Sequence, residues 1–214
     1  MKMNRRIACA LCAATLCFSA VGCLADETLA PNEFIGENAH GAGGAIRVKV
    51  TMDGDKIADI KTVEQHETRG LGTTAIMQLT QDMLAANSTE VDDISGATLT
   101  SVAFKAAVRQ AVETALGADS KADIELGENE YLGISDQALG GRLVVKVTVD
   151  EKRIAAIEIV ESHESADIGD PALETMKQRI IEANSTAVDG ISGATLSCQA
   201  MCEAVQQALE SAGM

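Results

Sequence analysis

The chain has 214 residues, 46% hydrophobic but only 2% aromatic and without Trp, and carries a formal net charge of −15. It can build an aliphatic core in one large or two small domains. It excludes a nucleic-acid binder, because no basic cluster outside the first six residues could neutralise phosphates, and an anionic membrane surface would repel it unless attachment were covalent or hydrophobic.

Lys2, Arg5 and Arg6 precede an apolar run from Ile7 to Val21. The run is too short to span a bilayer comfortably, and its order is that of a signal peptide over residues 1–22. Two processing schemes fit. Ala20-Val21-Gly22-Cys23 resembles a bacterial lipobox, with cleavage before Cys23 and lipid on its sulfur; the same small residues also make an ordinary cleavage site. An uncleaved anchor suits the length less well. The preferred expectation is lipidation at Cys23, with the body exported and held at the cell membrane, facing outside the cytoplasm. The alternative is a secreted or periplasmic soluble protein. Losing the three cations takes the net charge from −15 to −18.

Residues 23–31 read as a tether. Beyond it the chain aligns with itself, without a gap, at an offset of 97. Asn32-Glu33-Phe34 pairs with Asn129-Glu130-Tyr131, Gly43-Gly44 with Gly140-Gly141, Val48-Lys49-Val50-Thr51 with Val145-Lys146-Val147-Thr148, and Asn87-Ser88-Thr89 with Asn184-Ser185-Thr186. A gapless match of this length is a tandem duplication. The expected organisation is two similar domains, 32–117 and 129–214, joined by a linker over 118–128.

Within each repeat the period switches. Ala45 to Met52 and Lys56 to Glu64 alternate apolar and polar residues around Asp53-Gly54-Asp55, as Arg142 to Val149 and Arg153 to Glu161 do around Asp150-Glu151-Lys152. Each is a β-hairpin with one buried face. A helical period follows, with Ile76, Leu79, Met83 and Leu84 on one face. In the second copy Asp170-Pro171 supplies an N-cap and a proline at the first helical position. That helix ends near Asn87 and Asn184, and a last helix is expected over about Ser101 to Leu116 and Cys198 to Ala212. The fold class is α+β, a small antiparallel sheet backed by two helices, twice.

Of six cysteines, Cys9, Cys12 and Cys17 leave with the signal, and only Cys198 and Cys202 belong to the folded body. Four apart on a helix, their Cβ vectors run parallel, which suits a disulfide poorly. No His or further Cys lies nearby to make a metal site, so they read as small, half-buried helix residues.

The last helix of each repeat opens from one motif. Asp92-Asp93-Ile94-Ser95-Gly96-Ala97-Thr98-Leu99 returns as Asp189-Gly190-Ile191-Ser192-Gly193-Ala194-Thr195-Leu196. Gly96 and Ala97 let a bulky or planar group approach the backbone. Thr98 stands at a helix mouth, where free N–H groups and a partial positive charge favour a phosphate. Asp92 and Asp189 could orient the loop or assist a metal during modification. Helix capping by Ser and Thr after a tight Gly-Ala turn explains the same residues without a ligand.

The pattern Asp-x-x-Ser-Gly-Ala-Thr followed by Thr or Ser resembles the flavinylation motif of the FMN-binding domain family, which includes the C subunit of the sodium-pumping NADH:quinone reductase, the G subunit of the Rnf complex and two-domain lipoproteins of extracellular electron transfer. The upstream stretch resembles it too, a Gly-Gly hairpin and then His66-Glu67-Thr68-Arg69-Gly70-Leu71-Gly72. The second copy reads His163-Glu164-Ser165-Ala166-Asp167-Ile168-Gly169 and lacks the first glycine. The resemblance covers both repeats. It implies that a flavin transferase moves FMN from FAD onto Thr98 and Thr195 as a phosphoester. It places the turns Ser95-Gly96-Ala97 and Ser192-Gly193-Ala194 against the cofactor. It also sets the ring near His66, Glu67 and Thr68 in one repeat and His163, Glu164 and Ser165 in the other, where a solvated strand-end histidine is the alternative.

Three functions compete on this basis. The first is a di-flavin electron carrier, taking electrons from a membrane donor complex and passing them to an extracellular reductase or acceptor. The second is a flavin-dependent small-molecule reductase. The third is a duplicated surface binding module without redox chemistry. Two equivalent cofactor sites and the lack of a second acid–base constellation favour the carrier.

Overall fold

A computed structural model describes residues 29–117 and 124–214. The signal peptide, Cys23, most of the tether and residues 118–123 of the linker lie outside the described residues. The elements run β1 (Glu33–Gly41), β2 (Gly44–Asp53), β3 (Lys56–Glu64), α1 (Gly72–Ala86) and α2 (Thr98–Leu116), then β4 (Glu130–Ala138), β5 (Gly141–Asp150), β6 (Arg153–Glu161), α3 (Gly169–Ala183) and α4 (Thr195–Ser211). Each repeat is one α+β unit.

Each sheet has three antiparallel strands in sequential order, β1-β2-β3 and β4-β5-β6. Val50 of β2 faces Phe34 on one side and Ile60 on the other, as Val147 faces Tyr131 and Ile157. The central strand carries the core. Ile46, Val48, Val50 and Met52 alternate into it, and Ile76, Leu79 and Met83 of α1 and Val102, Ala107 and Val108 of α2 close over them. The second core repeats this with Leu143, Val145 and Val147 under Leu173, Met176, Ile180, Met201 and Val205. Both cores are otherwise aliphatic, as the composition requires, with Phe104 of α2 the one fully buried aromatic among the described residues.

The two-stranded hairpin expected from the alternation is present, extended by one residue at each end of β2. A third strand, β1 and its copy β4, was not anticipated. It is held on one side by β2 and on the other by close contact with α2. A Cβ placed on Gly36 would meet the Ala107 carbonyl, and one on Gly133 the Ala204 carbonyl. Glycine at these points lets the helix backbone lie directly on the strand.

Three helix starts also differ from expectation. α2 and α4 begin three residues early, at Thr98 and Thr195. α3 begins at Gly169, which puts Asp170 in its first turn rather than at its cap. Asp170 instead accepts a hydrogen bond from the Ser162 hydroxyl at 3.2 Å, so its carboxylate is engaged with the preceding strand end. α1 and α3 end as expected at Asn87 and Asn184. Both adopt left-handed backbone and use the side-chain oxygen to accept from Ile57 N and Ile154 N. Cys198 is buried, Cys202 half-buried, and both are free thiols. Burial, with Cys198 beside it, pushes the Cys202 thiol up from its ordinary value and keeps it protonated. Among the described residues no helix is long and apolar enough to cross a membrane.

Candidate functional site

The Ser-Gly-Ala-Thr stretch forms a turn followed at once by the helix. Ala97 N–H donates to Ile94 O at 2.9 Å, and Gly96 takes φ 80°, a left-handed conformation that glycine adopts without strain. The turn is pinned from inside the helix. Ser101 Oγ donates to Ala97 O at 3.0 Å and accepts from Ile94 N at 3.1 Å. In the second repeat Gly193 takes φ 88° and Cys198 Sγ accepts from Ile191 N.

The residue in the cap position is Ala97 in one repeat and Ala194 in the other, so neither helix has a side-chain cap. The first-turn N–H groups therefore keep their donors. Thr98 is the first helical residue, half-buried, and Thr195 the same but exposed. Among the described residues neither hydroxyl makes a hydrogen bond. The threonines are therefore not helix caps.

Thr98 stands in the wall of a pocket of about 270 Å³. The wall joins both sequence motifs. Gly96, Ala97, Thr98, Leu99 and Thr100 come from the helix start, Glu67, Thr68, Leu71 and Gly72 from the stretch before α1, and Ala42 from the β1–β2 turn. Leu71 and Leu99 are each 53% exposed and give the mouth an apolar rim.

Glu67 is buried and ties these three segments together. Its Oε1 accepts from Gly43 N–H at 3.2 Å and its Oε2 from the Thr100 hydroxyl at 2.7 Å. A Cβ on Gly72 would come within 2.7 Å of Glu67 Oε2, so that glycine makes room for the carboxylate. In the second repeat Glu164 Oε1 accepts from Gly140 N–H at 3.3 Å, but Ser197 stands where Thr100 does and Glu164 Oε2 is buried without a partner. Ser165, buried, accepts from Gly169 N–H at 3.1 Å.

The remaining sequence-selected residues lie farther out. His66 is exposed and is not part of the pocket wall. His163 is half-buried between the repeats, with Nε2 3.3 Å from Glu161 Oε1 and Nδ1 3.9 Å from Glu90 Oε1. Asp92, Ser95, Asp189, Ser192 and Gly193 are exposed in the loops; neighbouring Asp93 pairs with Lys105 at 2.7 Å, and Arg179 donates to the Asp189 backbone carbonyl at 2.6 Å. Sequence reasoning passed over Ala42, Leu71, Leu99 and Thr100. The Thr or Ser two places after Thr98 and Thr195 was the one visible sign of the Thr100 contact. Among the described residues no group of three or more His, Cys, Asp or Glu side chains could hold a metal.

The profile of the FMN-binding domain family matches residues 41–113 and again 139–210, one match per repeat. The chain belongs to the FMN-binding domain family. Its cofactor is FMN. The uncapped helix start, the unpartnered hydroxyl and the small-residue turn fit a phosphate, and the apolar rim fits an aromatic ring, so the residues present suit that cofactor. The chain is 42% identical over 76 residues to a urocanate reductase from Eggerthella lenta, which is 35% of this chain and 12% of that one. It is 37% identical over 90 residues to an NADH:acrylate oxidoreductase from Vibrio harveyi, 42% of this chain and 9% of that one. The chain thus spans about a tenth of the length of these relatives.

Proposed function

We propose that this protein is an extracytoplasmic electron carrier with FMN joined through a phosphoester to Thr98 and to Thr195. The observation that carries the reading is the Thr98 hydroxyl, unpartnered at an uncapped helix start in the wall of an apolar-rimmed pocket. In the attachment, the threonine oxygen bonds to the FMN phosphorus of FAD, the pyrophosphate bond to AMP breaks, and the hydroxyl proton passes to a base on a separate flavin transferase. The first-turn N–H groups and the helix dipole hold the resulting phosphate charge. Bound FMN supplies the redox chemistry, while the protein sets its position and surroundings.

The donor would be a membrane complex and the acceptor an extracellular reductase or a terminal acceptor, with Cys23 lipidated to keep the carrier at the membrane. A covalent link suits that location, since a dissociated cofactor would be lost by diffusion. The two relatives are named for reductions, yet the matched stretch is a minor part of each. That proportion suits a module that delivers electrons rather than one that turns over a substrate.

The test is the intact mass of the chain exported alongside a flavin transferase. Two FMN units, each less one water, are expected on the natural sequence and one in each of Thr98→Ala and Thr195→Ala. Unchanged mass with colourless protein would return both turns to structural elements.

A further inference from the structure

The two sites do not have the same surroundings. In the first repeat the β1–β2 turn that walls the pocket is open, and Ala42 is exposed. Its counterpart in the second repeat, Leu139, is 8% exposed and packs into the hydrophobic core of the first repeat. Leu139 O accepts from the buried Asn38 Nδ2 at 3.1 Å, and Gly140 O accepts from Arg109 Nη1 at 3.4 Å. A Cβ on Gly141 would stand 3.3 Å from Ala106 Cβ, so the turn lies directly on α2. The residue after the second acceptor behaves alike. Leu99 is exposed, whereas Leu196 is half-buried and packs against the first repeat's core.

The dock is particular to the first repeat. Asn38, Glu90, Ala106 and Arg109 form it, with Arg109 Nη2 also 2.9 Å from Glu90 Oε1. At the offset of 97 the second repeat has Ser135, Ala187, Glu203 and Gln206 in their places. Glu203 is bound to the Ser135 hydroxyl at 2.6 Å and occupies the ground that Ala106 leaves clear. A third unit, or a second copy of the chain, therefore finds no equivalent seat on α4.

We infer that the second flavin site is a composite one, in which Asn38, Ala106 and Arg109 of the first repeat act as positioning residues for the flavin carried by Thr195. Two links join them to it. The held turn contains Gly140, whose N–H fixes Glu164, and Leu196 adjoins the acceptor itself. Ala106 is eight residues along α2 from Thr98, about 12 Å of helix. One helix thereby begins at the first acceptor and seats the turn of the second site.

The inference rests on FMN being carried at Thr195, and the test separates the two. The full-length Thr98→Ala chain carries only the second flavin. Into it go Leu139→Ala, Ala106→Glu and Arg109→Gln, each installing the residue of the other repeat. The visible circular dichroism of the Thr195 flavin is expected to fall toward that of free FMN, and its reduction potential to move, most for Leu139→Ala and Ala106→Glu. The same substitutions in Thr195→Ala should leave the Thr98 flavin unaltered. An FMN mass with dichroism and potential unchanged in all three variants would overturn the composite site alone. Equal change at both flavins would overturn it too, because the substitutions would then act on the whole fold. No FMN mass on the Thr98→Ala chain would remove the Thr195 attachment and this inference together.

Discussion

The Thr100 hydroxyl donates 2.7 Å to Glu67 Oε2, whereas Ser197, at the same place in the second repeat, leaves Glu164 Oε2 buried and unpaired. A buried carboxylate oxygen without a donor costs more than the hydrogen bond itself contributes. Thr100→Val is therefore expected to destabilise the first repeat by about 1–3 kcal/mol. Ser197→Thr, whose added methyl restricts the rotamer and can turn the existing hydroxyl toward Glu164 as in Thr100, should gain about 1 kcal/mol. Urea midpoints measured at constant slope would show both changes. A neutral Thr100→Val would mean that water serves Glu67 equally well.

The contact of Gly36 with Ala107 O, and of Gly133 with Ala204 O, sets how closely each helix approaches its sheet. Neither partner is a flexible side-chain end; both are backbone carbonyls within a helix. Gly36→Ala and Gly133→Ala should each cost about 3 kcal/mol, the upper range for overpacking. Thermal unfolding would read this as a lower Tm. An unchanged Tm in either would show that the helix can shift without loss.

These glycines also mark where the sequence stops being readable. The repeat, the β2–β3 hairpin and the Ser-Gly-Ala-Thr turn were legible because each has a local signature, an offset, an alternation or a small-residue motif. β1 has none. Gly36, Asn38, Ala39 and His40 break the alternation, and the strand exists because α2 lies against it. Of the pocket wall, Thr98 and Glu67 were legible from their motifs. The role of Glu67 as a tie between three segments was not, because Thr100 and Gly43 reach it only after folding. The seam was illegible for a further reason. Leu139 in place of Ala42 is an ordinary apolar difference until the first repeat is seen beneath it.

His163 gives the seam a pH dependence. Burial, and then the nearby Arg109 charge, lower its pKa from 6.5, although Glu90 and Glu161 pull the other way. A histidine whose folded pKa is depressed stabilises the fold fully above its unfolded pKa. That contribution is lost as pH falls from about 6.5 toward the folded value, because only the unfolded chain takes up the proton. Glu113 works in the opposite sense. Burial holds its carboxyl above the ordinary value, so it loses stability as pH rises from about 4.5. The diagnostic is thus the difference between the natural chain and His163→Gln, which should slope downward as pH falls below about 6.5. Parallel pH profiles for the two proteins would show that His163 stays as accessible to protons as in the unfolded chain.

The β5–β6 turn holds strain that a different sequence would relieve. Glu151 and Lys152 take φ 47° and 63°, both left-handed, between strands that end at Asp150 and resume at Arg153. A two-residue hairpin turn of this kind favours Asn-Gly, because asparagine tolerates that conformation and glycine has no Cβ to crowd it. The first repeat has glycine at the first of the two positions, Gly54 at φ 61° opposite Glu151. Glu151→Asn with Lys152→Gly should therefore stabilise the second repeat by about 1 kcal/mol, the typical penalty for an ordinary residue held left-handed. The turn lies at the opposite end of β5 from Gly141 and the seam. The FMN mass at Thr195 should accordingly stay the same while the urea midpoint rises. A fall in the midpoint would mean that Glu151 and Lys152 make up for their backbone strain through their charges.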